Sequence, residues 1–352
     1  MPEGHTVHRL AAAFTSGLAG DRVRTSSPQG RFPEAAEIDG FVLLGAEAVG
    51  KHLFLAFAPS EDVDIDAPVV RHVHVHLGLY GSWTFAGDPG FADVHAIGAP
   101  RVRFGEREEG LDAGAAPDWR RLVPRPTTRL RIAGPRGLAD LTGPTACEIL
   151  DAAGRQAILD RLGPDPLRAD RDLAGRRRFV TAVRASRTTI AALLMNQRIV
   201  AGIGNIYRAE LLFRARLDPF VPGRDLTEGM CEGMWEDLVA LMDYGARTGR
   251  IVTTQPAHRD IEARIVERSR GTRQNGDEDE GVVPREKSFY VYHRQTLPCR
   301  LCGTTVRSGD LAARTVFWCP RCQSVRSRRA SWTRENPAAP WALEAPARAP
   351  AG

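Results

Sequence analysis

Four cysteines in two close pairs constrain this chain more than any other feature: Cys299-x2-Cys302 and, with sixteen residues between, Cys319-x2-Cys322. A CxxC knuckle offers two sulfurs from one tight turn, and two knuckles at this separation match the tetrahedral thiolate coordination of zinc. Four cysteines leave no open coordination position, so one structural Zn2+ is expected rather than a catalytic one. The intervening VRSGDLAARTVFWC reads as a hairpin, and in so small a module the coordination energy is folding energy. No apolar run approaches the ~20 residues of a membrane span, and the N-terminus does not have the form of a signal peptide. A soluble, cytoplasmic protein with reduced thiols is expected, with no membrane partner.

The cysteine-bearing stretch is also basic. Residues 294–329 hold eight arginines and one acid, Asp310, a local net of +7 against +5 for the whole chain of 352 residues. That placement points to an anionic partner, most simply nucleic acid; a solvated basic tail is the plain alternative. Of 48 basic residues only Lys51 and Lys287 are lysine. An ammonium is a compact point charge that can approach a phosphate, whereas guanidinium is bulky and permanently charged. Lys287 lies in a polar stretch where chance suffices. Lys51, between apparent strands, is either chance or a place where arginine cannot serve.

Hydrophobic patterning divides the chain. After a helix over 6–14, residues 22–85 show short alternating or apolar runs broken by Gly, Pro and Asp, as do 101–104, 128–132 and 137–141. So many short strands argue a β-sandwich over 1–144. In VRHVHVHL the histidines His72, His74 and His76 share one strand face; they could ligate a metal, but a polar sheet face is the preferred reading. From Cys147 the period becomes helical, including CEILDAAGRQAIL, an apolar helix ending near Gln197 and CEGMWEDLVALMDYGAR, so 145–267 forms a helical domain. Residues 268–287 are a polar, flexible loop, 288–323 the finger, and 324–352 a Pro/Ala-rich tail expected to be disordered. The fold class is α+β, multidomain.

Several short stretches carry chemistry. Pro2, exposed as a terminal secondary amine once methionine is removed, would have a pKa near ~8 and could attack a carbonyl-like carbon to form an iminium, with Glu3 as adjacent acid. A plain helix leader is the alternative. In VAGIGN, Gly202 and Gly204 permit close backbone approach, and the helix starting at Asn205 presents free N–H groups, an anion site with the Asn205 side chain as an added donor. HLGLYG sets Leu79 and Tyr80 at a loop tip, either a wedge that fills the gap left by an extruded base or a turn packed on a neighbouring strand. Arg314 sits in the finger hairpin, where arginine can fork onto a phosphate.

MPEG, GKHLF, HLGLYG, GPDPL, AGIGNIYR and the four-cysteine finger occur in that order between Pro2 and about Gln323. Together they resemble the formamidopyrimidine-DNA glycosylase/endonuclease VIII family, closest to its actinobacterial endonuclease VIII-like branch. The resemblance implies an N-terminal β-sandwich, a helix–two-turns–helix domain and a zinc finger, with damaged DNA between them and the enzyme a monomer. It implies Pro2 as nucleophile on the sugar C1′, Glu3 as the acid opening the deoxyribose, Lys51 on a phosphate near the lesion, and Asn205 and Arg314 on the flanking phosphates. The expected activity is a bifunctional DNA glycosylase/AP lyase cutting by β,δ-elimination. The Leu79-Tyr80 pair resembles the oxidised-pyrimidine side of the family and the preceding HLG the oxidised-purine side; a non-catalytic lesion binder is the rival of another class. One departure stands out: family members often carry Pro-Glu where this chain has His5-Thr6, so a second carboxylate near the amine is missing, and His5 is expected to titrate near neutrality.

Overall fold

The first helix, α1 (Gly4–Leu18), extends beyond the expected 6–14 at both ends, and its apolar stripe runs on past 14: Val7, Leu10, Ala11, Phe14 and Leu18 are all buried. The computed structural model describes residues 2–88, 91, 96–98, 118–168, 173–259 and 283–324. Nine strands follow α1 among them: β1 (Arg24–Ser26), β2 (Val42–Val49), β3 (His52–Ala58), β4 (Arg71–His76), β5 (Ser82–Gly87), β6 (Ala96–Gly98), β7 (Thr128–Ala133), β8 (Gly137–Thr142) and β9 (Ala146–Leu150). They make two antiparallel sheets, ordered β2-β3-β4-β9 and β1-β7-β8-β5-β6. Leu53, Leu55, Val73 and Val75 of the first sheet share a core with Trp83, Leu130, Ile132 and Leu141 of the second and with the stripe of α1. This is the expected sandwich, with a helix built into its core. Phe14 meets Trp83 edge to face at 4.8 Å between ring centroids. The strand expected at 101–104 lies outside the described residues.

The described residues divide into two compact units, residues 1–162 and 163–324, rather than near 145. Two local features move the boundary. The CEIL stretch, taken with the following helix from its period, is β9, registered on β4 from His72↔Leu150 to His76↔Ala146. The helix after it, α2 (Ala152–Leu159), is N-capped by Asp151, which accepts from the Gly154 N–H. Ile158, Leu159 and Leu162 then pack on Val49 and Phe54, and Arg155 pairs with Glu47.

The second unit contains α3 (Leu173–Arg184), α4 (Ile190–Leu193), α5 (Asn205–Arg214) and α6 (Glu228–Thr248). The helical stretch expected over 176–197 is broken in two: α3 holds its first part, and the part toward Gln197 is only the single turn α4. The chain before it is diverted by an antiparallel bridge between Thr189 and Pro222, with Ile190 N–H donating to the Val221 carbonyl. The segment expected as loop to 287 contains the one-turn helix α7 (Arg285–Ser288), where Ser288 donates back to the Pro284 carbonyl. The finger adds the hairpin β10 (Arg307–Leu311) and β11 (Arg314–Trp318).

Within this unit α5 is buried on every side from Ile206 to Arg214, charged residues included. Its Glu210, with no exposure, accepts from the backbone N–H groups of Tyr290, Val291 and Tyr292, each at 2.8 Å, and from the Thr253 hydroxyl. Arg214 donates through two nitrogens to Asp237 and through a third to the Thr253 carbonyl. A buried carboxylate with four donors is compensated; replacing it with an amide turns an NH2 toward N–H donors. Glu210→Gln is therefore expected to lower the stability of this unit by about 3 kcal/mol in urea denaturation; an unchanged midpoint would remove Glu210 from this role.

Candidate active site and nucleic-acid interface

Pro2 and Glu3 are buried, and the helix begins at the next residue with Glu3 as its N-cap. The Thr6 N–H donates to the Glu3 carbonyl at 3.0 Å. Because the first turn of α1 is pinned by a stripe that runs into the sandwich core, the Pro2-Glu3 backbone is held at the entrance to a rigid element rather than trailing as a leader. His5, expected to titrate near neutrality, does not: burial, with the nearby Arg9 charge, pushes its pKa down to about 3, so the imidazole is neutral. It cannot replace the missing carboxylate as a proton carrier in the physiological range.

Lys51 lies in the two-residue turn joining β2 to β3, after Gly50 at φ 58 and inside the Val49↔His52 pair. It is half-buried, and α1 packs on both strands that the turn connects. Leu79 and Tyr80 are 46% and 61% exposed on the turn between β4 and β5. The histidine face of β4 is a polar, buried sheet face: His52 and His74 share a 2.8 Å ring-nitrogen hydrogen bond, and His74 Nδ1 bonds Glu148 at 2.9 Å. Burial pushes His52 down to about 3 and lowers His72, His74 and His76 as well.

In the second unit, Asn205 is the first residue of α5, behind an extended Gly204. Gly202, at φ 92, holds a backbone conformation that side chains resist. Gln197 closes this turn: its amide N–H2 donates to the Met195 and Ile203 carbonyls, and its Oε1 accepts from the Gly202 N–H. The GPDPL stretch packs on the same turn, with Gly163 N–H on the Gln197 carbonyl and Ala201 N–H on the Pro164 carbonyl. A Cβ at Gly163 would come within 2.7 Å of the Arg198 carbonyl, so only glycine fits. The outcome is a helix N-terminus held by hydrogen bonds on both sides, with Asn205 half-buried at its first position.

The four cysteine sulfurs of the finger lie within 4.8 Å of one another. Cys299 and Cys322 are 3.8 Å apart and Cys302 and Cys319 3.5 Å, close to the ~3.8 Å edge of a sulfur tetrahedron built on ~2.3 Å zinc–sulfur bonds. The residues fit a closed, structural metal site. Gln323 ties it down, accepting from the Cys319 N–H and donating to the Leu217 carbonyl. The basic stretch is less uniform than its charge suggests. Arg294 and Arg300 are buried and donate to the carbonyls of Tyr290, Pro298 and Phe289, whereas Arg307, Arg314 and Arg321 are exposed. Arg326, Arg328 and Arg329 lie outside the described residues. Arg314 follows a hairpin turn in which Ala312 and Ala313 both have positive φ, 50 and 59, the tight type that twists with its strands.

Comparison with known proteins agrees with this geometry. The model of the formamidopyrimidine-DNA glycosylase H2TH domain matches residues 162–256. Endonuclease 8 1 of Mycobacterium tuberculosis is 39% identical over 330 residues, 92% of this chain and all of the relative. The chain belongs to the formamidopyrimidine-DNA glycosylase/endonuclease 8 family. Its members are DNA glycosylases of DNA repair, and another relative, the formamidopyrimidine-DNA glycosylase of Geobacter metallireducens, is 33% identical over 92% of this chain and 99% of its own. The fold of the family is likewise that of the Lactococcus lactis enzyme solved non-covalently bound to DNA containing an AP site, with TM-score 0.60 at 17% identity, covering 92% and 99% of the two chains. No helix among the described residues is long and apolar enough to cross a membrane.

Of the residues expected from the sequence to form the site, Pro2, Glu3 and Lys51 fall in the first unit with Leu79 and Tyr80, and Asn205, Arg314 and the cysteines in the second. Residue patterns alone did not mark Gln197, whose partners are local, or Arg208 and Glu210, which bond to distant segments. The buried histidines give a pH prediction. Each of His5 and His52 is neutral in the folded chain but takes up a proton below ~6.5 once unfolded, so their contribution is complete above that pH and lost as pH falls toward 3. Unfolding free energy is expected to drop by on the order of 2 kcal/mol per histidine between pH 7 and pH 5. The His5→Gln, His52→Gln double variant should flatten that slope; an equally steep slope in the variant would assign the acid sensitivity to other groups.

Proposed function

We propose that the protein is a bifunctional DNA glycosylase/AP lyase that removes oxidised bases, pyrimidines by preference, with Pro2 as its nucleophile. The observation that carries this is the Pro2-Glu3 pair, buried at the start of a helix seated in the sandwich core, in a chain of the glycosylase family. Pro2 becomes a terminal secondary amine when methionine is removed, and a pKa near ~8 leaves roughly a tenth of it unprotonated at neutral pH. The amine attacks C1′ of the extruded nucleotide and the bond from C1′ to the base breaks. Glu3 gives its proton to the ring oxygen, the C1′–O4′ bond opens, and an iminium joins the proline nitrogen to C1′. Loss of a C2′ proton expels the 3′ phosphate, a second elimination expels the 5′ phosphate, and water releases the amine.

The remaining residues supply grip. Lys51 suits a phosphate near the lesion as a compact cation. Leu79 and Tyr80, exposed at their turn, suit the gap left by the extruded base, and that pair together with the endonuclease 8 relative supports the pyrimidine preference. Asn205 at the α5 terminus and Arg314 on the hairpin suit the flanking phosphates. One zinc on Cys299, Cys302, Cys319 and Cys322 folds the finger and takes no part in the reaction.

Two experiments test this reading. Borohydride trapping and gel cleavage, on thymine-glycol, 8-oxoguanine and abasic duplexes, compare the native terminus, an N-terminally extended protein and Glu3→Gln. The native enzyme should form the adduct and cut, with thymine glycol processed faster than 8-oxoguanine. The extended protein, whose proline nitrogen is an amide, should bind but neither trap nor cut. Glu3→Gln should lose base removal while still reacting with the abasic aldehyde. A full-rate adduct from the extended protein would exclude Pro2 and leave Lys51 as the next amine. Metal analysis should find one zinc per chain, with Cys319→Ser losing both zinc and DNA affinity; active protein free of zinc would contradict the structural role.

A further inference from the structure

The two side chains assigned to phosphate in the second unit, Asn205 and Arg314, come from segments far apart in sequence, and one buried residue bonds to the first and to the backbone beside the second. Arg208, three residues into α5 from Asn205, has no exposure. Its Nη2 donates to Oδ1 of Asn205 and, at 2.7 Å, to the backbone carbonyl of Thr315, 107 residues away on β11. A guanidinium taken out of water is expensive unless its donors find acceptors, so this placement holds only while both acceptors stay in position.

We propose that Arg208 is a positioning residue for DNA binding, setting the amide of Asn205 and the strand segment that carries Arg314. The proposal rests on the phosphate roles of Asn205 and Arg314 given above. Arginine has no acceptor atom, so the Asn205 atom facing it must be the carbonyl oxygen. The amide NH2 is thereby turned away from Arg208, as a donor at a helix N-terminus whose first-turn N–H groups already favour an anion. Without Arg208 the amide can rotate and offer its oxygen, which repels a phosphate. The second bond acts on the finger. Thr315 directly follows Arg314, and Arg314 pairs with Leu311 beside the strained Ala312-Ala313 turn. Fixing the Thr315 carbonyl fixes the backbone from which the exposed Arg314 side chain extends. One nitrogen of a rigid, planar guanidinium thus ties the Asn205 amide to the strand that carries Arg314, a task that a flexible ammonium performs poorly.

The test compares Arg208→Met, Arg208→Lys, Asn205→Ala, Arg314→Ala and the Arg208→Met, Asn205→Ala double variant in the full-length protein. Affinity for an abasic-analogue duplex is measured from 50 to 300 mM salt, alongside zinc content and single-turnover cleavage at saturating DNA. Arg208→Met should weaken binding on the order of 10-fold or more and reduce the salt slope by about one phosphate contact, as Arg314→Ala does, whereas Asn205→Ala removes no charge and should weaken binding with little change of slope. Zinc content and the saturated cleavage rate should stay near those of the parent. Adding Asn205→Ala to Arg208→Met should cost little more, because the two act through one contact. Arg208→Lys should fall between parent and Arg208→Met, and decides the matter if the methionine variant does not fold. A purely structural arginine would lower the active fraction and leave the affinity and salt slope of the folded fraction unchanged. That result, with Asn205→Ala and Arg314→Ala still shifting binding, overturns the role of Arg208 alone. Unchanged binding in Asn205→Ala and Arg314→Ala as well overturns the phosphate assignment and the Arg208 role with it.

Discussion

The carboxylate of Glu210 is the interaction on which the second unit depends. Four donors converge on it, three of them consecutive backbone N–H groups at Tyr290, Val291 and Tyr292. Consecutive N–H groups can meet one anion only if the chain curls around it, so Glu210 shapes the segment leading into the finger as much as it is held by it. Arg214, one turn on, clamps Asp237 of α6 and the Thr253 carbonyl, and Arg208 reaches β11. Three charged residues on one helix therefore join the helical bundle, the chain before the finger and the finger itself. The strength of such buried bonds, and the expense of leaving any unmade, make α5 a fixed rod. Asn205 at its tip inherits that rigidity.

A parallel constraint operates in the first unit by hydrophobic means. The stripe from Val7 to Leu18 lies in the same core as both sheets, which leaves the chain before Gly4 no freedom to wander. A nucleophile at residue 2 needs that: proximity and orientation contribute only when the attacking atom is held. The neutral, buried His5 belongs to the same packing, and its burial means that Glu3 is the acid available beside Pro2 within the terminal pentapeptide.

Much of this was legible in residue order because it is local. The CxxC pairs, the glycine turn before Asn205, the place of Lys51 between two strands and the apolar period of α1 are each encoded within a few residues. The misreadings arose where distant partners decide. Cys147 to Leu150 is a short apolar run whose period suits helix or strand, and pairing with β4 makes it a strand. Arg208, Glu210 and Arg214 have the pattern of an ordinary helix surface, and only chain segments 23 to 107 residues away turn them into interior groups. Likewise the charge of residues 294–329 says nothing of which arginines are spent on carbonyls; Arg294 and Arg300 are, and Arg307, Arg314 and Arg321 face solvent.

The central claim is that the chemistry begins at the nitrogen of residue 2, and locating the covalent bond tests it most directly. Protein reacted with an abasic duplex and reduced with borohydride is digested with trypsin and nuclease, and the peptides are mapped by tandem mass spectrometry. The sugar remnant is expected on the peptide from Pro2 to Arg9, with fragment ions assigning the added mass to Pro2 and none to Lys51. A remnant found on the Lys51 peptide, with an unmodified Pro2 peptide in stoichiometric amount, would contradict the account.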